Sequence, residues 1–467
     1  MAPKYTFSSH ESFSHDDIDS FGYDWERNAN RDIAPRYPLK VYLPRTTEDI
    51  VEVMREAKRL GQELRIRSKG HSSNDLVLTE RGAVLCTQKM DRILDFNEEE
   101  RSITVQAGAI TAEMDQYLIA RGYGLPVIGD HHDITAGGFA SVGGFNPASL
   151  RHGIFIDNVL RLEAVTWEGE VVRCSKAENR EQFYRFLAGT GQYGMITELT
   201  CRVIQVRKTR DLVRNNQTNY RSLDEYLAAT TRFIADPGDA VMQRLVWFDF
   251  GRFLKMGQLS AYTPTPRTFA HALRDWAAYK YLHTLGYWAG RLPKLVDLLV
   301  KNVAILHVMF PPKYSTIKHA ESLTDRVLES SVGDPTRMLA VIVPVDQYEP
   351  MFRGMYQLVR DYRKRYKCFS FLTLYVKALK SEYLEGLSPG KRFCEVLMYL
   401  GVKPKGMTNA VMEQLVSDLD DLCIAHGAFR YMHTKTVKDP ERRRKIDPNA
   451  AYNPEPAPAS ALKEVRS

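Results

Sequence analysis

Three stretches of the sequence concentrate side chains capable of chemistry. In "RSKGHSSND", residues 67–75, His71 stands between a glycine and two serines at the end of the strand-like "QELRIR". An imidazole there adds little to a core, so it is either an incidental residue of a surface turn or a group held at the mouth of a site. Residues 129–153 read "GDHHDITAGGFASVGGFNPASLRHG". Gly137 with Gly138, and Gly143 with Gly144, form two pairs free to take positive φ or to let a ligand approach the backbone. Backbone amides in such turns make anion-binding concavities, and the Thr135 and Ser141 hydroxyls add donors for phosphate oxygens. A diphosphate is the natural ligand; a merely tight structural loop is the alternative. The GxGxxG fingerprint that opens a helix directly after a strand does not occur. In "GAFRYMHTKT", residues 427–436, a strand period of two sets Tyr431, His433 and Lys435 on one face, with Arg430, Met432 and Thr434 on the other. Three such polar side chains would be costly in a core, so their face lines a cavity or meets solvent.

The elements that must position these residues follow from periodicity. "TTEDIVEVMREAKRLGQ" repeats apolar residues at Ile50, Val53, Met54 and Ala57 behind a Thr46 or Thr47 cap, and predicts a helix after the strand-like "LKVYLP". "ELRIRS", "AVLCTQ" and "SITVQAG" predict short strands, "TAEMDQYLIARG" a helix, and "VLRLEAVTWEGEVVRC" a hairpin turning at Glu168 and Gly169. Beyond residue 210 the strands lengthen: "AVMQRLVWFDF", "RMLAVIVPVDQ", "FSFLTLYVKAL" and "AFRYMHTKTV" predict an antiparallel sheet with helices on one side. The fold class is α+β. The expected organisation is an extension over 1–39, a first domain over 40–207, a second over 208–425, a C-terminal segment over 426–452 and a disordered Pro- and Ala-rich tail over 453–467.

At 467 residues the chain exceeds one ordinary core. Apolar residues at 44% and charged residues at 26% are ordinary for a globular enzyme. The net charge of +7 is spread along the chain and forms no basic stripe with interleaved aromatics, which argues against a nucleic-acid partner. Six cysteines lie far apart, without metal-ligand spacing, so no metal site is expected and buried, reduced thiols are. No basic and apolar leader is visible at the N-terminus, which points to a cytoplasmic setting. "LPKLVDLLVKNVAILHVMF", residues 292–310, is broken by Lys294, Asp297, Lys301 and Asn302. It predicts a core-facing amphipathic helix, with a peripheral membrane-surface helix as the alternative.

In order and spacing, "KGHSSNDLVLTERGAVLCTQKMDRILDFNEEERSITVQAGAITAEMDQYL", "DITAGGFASVGG", "ASLRHG" and "GTGQYGMITELTCRVIQV" resemble the flavin-binding domain of the vanillyl-alcohol oxidase and p-cresol methylhydroxylase superfamily. They are most similar to the aldonolactone oxidase branch with its gulonolactone and alditol oxidases. The resemblance implies a two-subdomain FAD-binding domain followed by a substrate (cap) domain. It implies FAD contacts from Arg67, Ser68, Lys69, Gly70, His71 and Ser72, and from Gly129, Asp133, Thr135, Gly137, Gly138, Ser141, Gly143 and Gly144. His152, Gly153 and Ile196 complete the set. His71 takes the position of a histidine bonded through its ring to the flavin methyl group, and the absence of a cysteine between Thr87 and Arg173 implies a single attachment.

By the same resemblance Tyr431, His433 and Lys435 lie on the substrate side of the flavin. Where relatives often carry a Glu-x-Arg pair in "FSFLTLYVKAL", this chain has Thr373 and Tyr375, so a less polar, even lipophilic, substrate is expected and Tyr375 joins the catalytic candidates. "RRRKIDPNAAY" resembles a segment that returns the chain to the flavin; a charged linker with an Asp-Pro turn is the other reading. The expected activity is hydride transfer from a CH–OH group of a polyol, sugar lactone or related alcohol to FAD, with dioxygen or another acceptor reoxidising the flavin. A flavin enzyme acting on a carbon–carbon bond of a sterol or polyprenyl-type lipid, and a flavin-binding protein without turnover, are the alternatives.

Overall fold

A computed structural model describes residues 6–7, 21–25, 34–73, 76–129, 131, 133–208, 210–288, 292–321, 336–403, 405–434, 437 and 439–453. Strands β1 (Thr6–Phe7), β2 (Lys40–Tyr42), β3 (Leu64–Arg67) and β4 (Ala83–Cys86) make a parallel sheet in the order β1-β2-β4-β3. All four residues of β4 are buried because both faces are covered, as parallel strands require. Ala83 and Leu85 meet Ile50, Met54 and Ala57 of helix α1 (Thr47–Leu60), while Val84 and Cys86 meet Phe21, Val41 and Leu43. Helix α1 starts at a capping box between Thr46 and Asp49.

A second, antiparallel sheet adjoins it. Its strands are β5 (Ile93–Asn97), β6 (Ser102–Gln106), β8 (Val159–Thr166), β9 (Val171–Ser175) and β10 (Gly194–Arg202), in the order β5-β6-β10-β8-β9. Strands β7 (Tyr123–Gly124) and β11 (Ile204–Gln205) pair separately. Helices α2 (Thr111–Ile119) and α3 (Ala136–Val142) belong to this unit, α3 lying on β10.

The larger sheet follows: β12 (Leu212–Tyr220), β13 (Met242–Asp249), β14 (Lys255–Pro264), β15 (Tyr314–Thr316), β16 (Thr336–Pro344), β17 (Phe369–Leu379), β18 (Phe393–Val402) and β19 (Phe429–Arg430). Their order is β15-β12-β14-β13-β17-β18-β16-β19, antiparallel at every pairing. On one face Leu339, Val341, Leu374, Val376, Val396 and Met398 pack against helices α4 (Leu223–Ala235), α7 (Tyr348–Tyr366) and α8 (Asn409–His426). The alternate residues Met338, Ala340, Ile342 and Leu397 join the core of the second sheet's unit. The strand period of two thus separates a helix-covered face from one turned toward the first half of the chain. Between β14 and β15 lies a helical pair, α5 (Phe269–Trp288) and α6 (Lys294–Met309).

Two expectations need correction. The strand predicted over residues 428–437 stops at Arg430. The Thr434 hydroxyl accepts the Ala340 N–H at 3.1 Å, a donor that a longer β19 would have claimed with a main-chain carbonyl. Thr434 also closes a turn on the Tyr431 carbonyl. Helix α6 does form, but Leu295, Leu299 and Leu306 are exposed, so the side that carries them does not face the core.

Candidate functional site

The loop after β3 turns over its own arginine. Arg67 is buried, donates to the Tyr23 carbonyl at 2.8 Å and lies 5.5 Å from the centre of the Phe21 ring. Gly70 has φ +76°, and a Cβ there would sit 2.5 Å from the guanidinium, so the turn tolerates only glycine. Two main-chain bonds fix the loop beyond it. Trp25 N–H donates to Ser72 O at 3.0 Å, and Ser73 N–H donates to His433 O at 2.9 Å. Lys69 is exposed. The His71 ring meets His131 with centroids 4.0 Å apart, in the segment that also holds Gly129 and Asp133. Residues 21–25, read from the sequence only as part of an extension, therefore support the loop; Phe21 and Trp25 in "FGYDW" were the available signal.

The glycine segment reaches the same place. Ser68 Oγ lies 2.5 Å from Thr87 Oγ1, and a Cβ on Gly138 would lie 3.8 Å from Ser68 Oγ and 2.9 Å from Thr135 Oγ1. Thr135 caps α3 by accepting the Gly138 N–H. Gly137 sits on Ala107, where a Cβ would come within 2.6 Å of the Ala107 Cβ. Gly137 and Gly138 are helical, so of the two uses open to these glycines the first pair takes close approach and not positive φ. The first pair is small because neighbours approach closely, and only Gly143 (φ +105°) and Gly144 (φ +72°) use the left-handed region. Ser141 spends its hydroxyl on the Gly137 carbonyl at 2.7 Å, a bond within the helix.

The remaining candidates are spread more widely. Gly129 N–H donates to Thr111 Oγ1, and Asp133 N–H to His131 Nδ1. Ile196 lies in the core with Ala107 and Phe139 behind α3. His152 ends the helical turn Ser149–His152 that packs on β17. Burial, with Arg202, Arg210, Arg151 and Lys380 around it, lowers its pKa. Gly153, at φ +80°, lies against Asp157. None of the contacts described for His152 or Gly153 reaches the His71 loop.

From the C-terminal side, the Tyr431 ring stacks on Phe145 at 4.3 Å and meets the His433 ring at 4.1 Å. A row of rings thus runs from the glycine segment to the His71 loop. Because β19 has ended, a turn rather than a strand face brings Tyr431 and His433 together. Lys435 lies outside the described residues. Residues 447–453 dock beside them. Asp447 caps the helix α10 (Pro448–Tyr452), which follows α9 (Pro440–Ile446). The Asn449 amide donates to the carbonyls of Tyr184 and Leu187 at 3.0 and 2.9 Å. A cavity of about 10 Å³, room for one water, lies where Gly143, Phe145, Tyr431, Asp447 and Pro448 meet.

Tyr375 projects from the sheet face opposite the helices, half-buried against both the second sheet's core and Val246 and Phe248. Two strand positions on, Lys377 pairs with Glu395 across β17 and β18 at 2.9 Å, its Nζ lying 5.1 Å from the Tyr375 ring centre. Both side chains are at most 3% exposed. A buried ion pair is costly unless it is closely paired or used. Beyond Thr373 and Tyr375, a lysine and a glutamate inside the apolar strands "FLTLYVKAL" and "FCEVLMYLGV" are the sequence signal of this pair.

The His71 loop and the first turn of α3 suit a flavin dinucleotide on the chain's own geometry. Small residues line their junction at Ser68 and Gly138, and the buried Ser72 and Ser73 hydroxyls make no hydrogen bond among the described residues. Comparison with known proteins agrees. Residues 38–175 match the model of a family described as an FAD binding domain. L-gulonolactone oxidase of Bos taurus is 26% identical over 262 residues, 56% of this chain and 57% of that protein. D-arabinono-1,4-lactone oxidase of Eremothecium gossypii is 27% identical over 183 residues, 38% of this chain and 34% of that one. Cytokinin dehydrogenase 1 of Arabidopsis thaliana is 31% identical over 184 residues, 38% and 32% of the two chains. The matched region spans at most a little over half the length of these relatives.

Proposed function

We propose, from the match of residues 38–175 to the FAD binding domain family, that the protein is an FAD-dependent oxidoreductase of CH–OH groups. The observation that carries this reading is the meeting of the His71 loop, the α3 turn at Gly138 and the Tyr431–His433 turn in one place, joined by the Ser73 to His433 main-chain bond. FAD, when bound, supplies the acceptor for the hydride that leaves the substrate carbon. The hydroxyl proton leaves with it, so the product is a carbonyl compound and a group of the chain must take that proton. In this reading His433 takes it, since a neutral imidazole accepts a proton near physiological pH, and Tyr431, held by its stack on Phe145, orients the alcohol. Tyr375, with the Lys377 and Glu395 pair behind it, forms the far wall, and Lys435 belongs to the same set. His71 serves as the covalent anchor of the flavin.

The lactone-oxidising names of two relatives support a polyol or sugar-lactone type of substrate with dioxygen as acceptor. The likeness to a cytokinin dehydrogenase favours, as a second reading, an acceptor other than dioxygen. Six buried, unlinked thiols support a cytoplasmic setting. The test is anaerobic mixing of the purified, flavin-replete protein with alcohols, lactones, a cytokinin and isoprenoid lipids. Bleaching of the flavin by an alcohol or lactone, slowed about 10²-fold or more in His433→Ala and Tyr431→Phe at full flavin occupancy, is the expected result. Bleaching by no compound would leave a flavin-binding protein, and a product changed at a carbon–carbon bond would displace the alcohol reading.

A further inference from the structure

Helix α5 is turned inside out for a helix on a globular protein. The side packed against the body carries polar and ring residues besides the buried Leu282: Asp275 accepts from Thr316 N–H and lies 2.9 Å from His319 Nδ1, Tyr279 stacks on His319 at 3.8 Å, and His271 stacks on Tyr314 at 4.1 Å. The opposite side carries Phe269, Leu273, Trp276, Tyr281 and Trp288, between 47% and 84% exposed. These five fall on one arc of about 140° at 100° per residue. Helix α6, in contact with α5 through Tyr281 and His307 at 5.1 Å, does the same with Leu295, Leu299 and Leu306, which are 83%, 64% and 53% exposed. At its end Met309 packs with Phe248, Phe250 and Met256, bringing the β13–β14 turn and its exposed Phe253 to the same end of the pair.

An exposed apolar surface of this size marks a docking site, and its charge identifies what docks. Residues 267–313 contain seven Lys and Arg against two acidic residues, and one of the two, Asp275, is buried against His319. Arg267 and Arg274 are exposed beside the apolar stripe, and Lys280 is exposed within its arc. Trp and Tyr at the margin, aliphatic residues between them and cations around them match the interface of an anionic bilayer. Among the described residues no helix is long and apolar enough to cross a membrane, so this surface would lie on one.

We propose that the α5–α6 pair docks the protein on the surface of anionic lipid membranes. The surface stands outside the flavin site, although α6 ends on the substrate-facing side of the large sheet, where Met309 O accepts from Gln217 and Gln258. The experiment is co-sedimentation of the flavin-bound protein with vesicles of phosphatidylcholine alone or with about one third phosphatidylglycerol. Binding to the anionic vesicles about tenfold tighter than to the neutral ones, and weakened by salt, is expected. Trp276→Gln with Leu295→Gln should reduce it about tenfold or more, and Arg267→Glu with Arg274→Glu, which leaves the apolar stripe intact, should remove the lipid-charge preference. Bound flavin and an unchanged absorption spectrum in both variants report an intact fold. Failure to bind either vesicle, or binding that both variants retain, would overturn the proposal. So would a dimer in sedimentation velocity that persists with vesicles and is lost in Trp276→Gln with Leu295→Gln, because the surface would then belong to a second copy of the chain.

Discussion

Gly138 and His71 stand within one junction yet do different work, and substitutions should separate them. Gly138 is helical, and a β-branched residue there is no worse than glycine in helix propensity. Its Cβ, however, would enter the space between Thr135 Oγ1 and Ser68 Oγ, which the proposed function assigns to the FAD phosphates. Gly138→Val is expected to fold and to lose FAD by about tenfold or more, read from the ratio of flavin to protein absorbance. His71→Ala removes a ring that rests on His131 and leaves that junction open. It should keep FAD bound but release it in acid, whereas acid-denatured wild type should hold flavin on the peptide containing His71. Equal flavin content in wild type and Gly138→Val would remove the phosphates from this place.

At the scale of elements, the short helix α10 holds the C-terminal segment to the first half of the chain through few contacts. Asn449 is fully buried and its amide satisfies carbonyls of residues 184–187, while the Tyr452 ring lies flat on Tyr184 at 4.8 Å. Asn449→Ala removes this donor from the buried Leu187 carbonyl, at about 1–3 kcal/mol, while the Tyr184 carbonyl keeps the Asn453 amide. Its urea midpoint should fall accordingly, and amide exchange should quicken around 184–187 and 447–453 before the large sheet is affected. Uniform exchange across the molecule would mean that α10 does not open as a local unit. The same segment answers what the sequence left open for "RRRKIDPNAAY". A charged linker would run in solvent, whereas here Asp447 is buried, accepts the Asn449 N–H and pairs with Arg443 at 2.9 Å.

Across the whole molecule, Asp157 joins the two halves: its carboxylate accepts N–H bonds from Ile154 in the first and Tyr383 in the second, each at 2.9 Å. Burial pushes its pKa up from 3.8 to about 6, against the pull of those bonds. Between these two values the folded protein binds more protons at this site than the unfolded chain, so the site's contribution to stability falls as pH rises from about 4 to about 6 and is flat above. Asp157→Asn does not titrate. The stability difference between wild type and Asp157→Asn, from urea unfolding at pH 4 to 7, should therefore shift against wild type by about 2–3 kcal/mol over that window. A constant difference would place the Asp157 pKa at its ordinary value in the fold.

The sequence by itself determined the local elements and the ordered small-residue motifs, because these depend on the neighbours in the chain. Thr46 capping α1, the alternation along β17 and the run from Thr135 to Gly144 are all readable within ten residues or so. Tertiary structure decided which residues act together. Thr434 ends β19 only because Ala340 lies beside it, and Tyr431 meets His433 in the turn that results. Lys377 in β17 gains its meaning from Glu395 in β18, and residues 21–25 from the Arg67 they cover. Helix α6 shows the limit most plainly. Its apolar spacing required only that one side leave water, and in this fold Leu295, Leu299 and Leu306 face outward while Met309 at its end packs with Phe248, Phe250 and Met256.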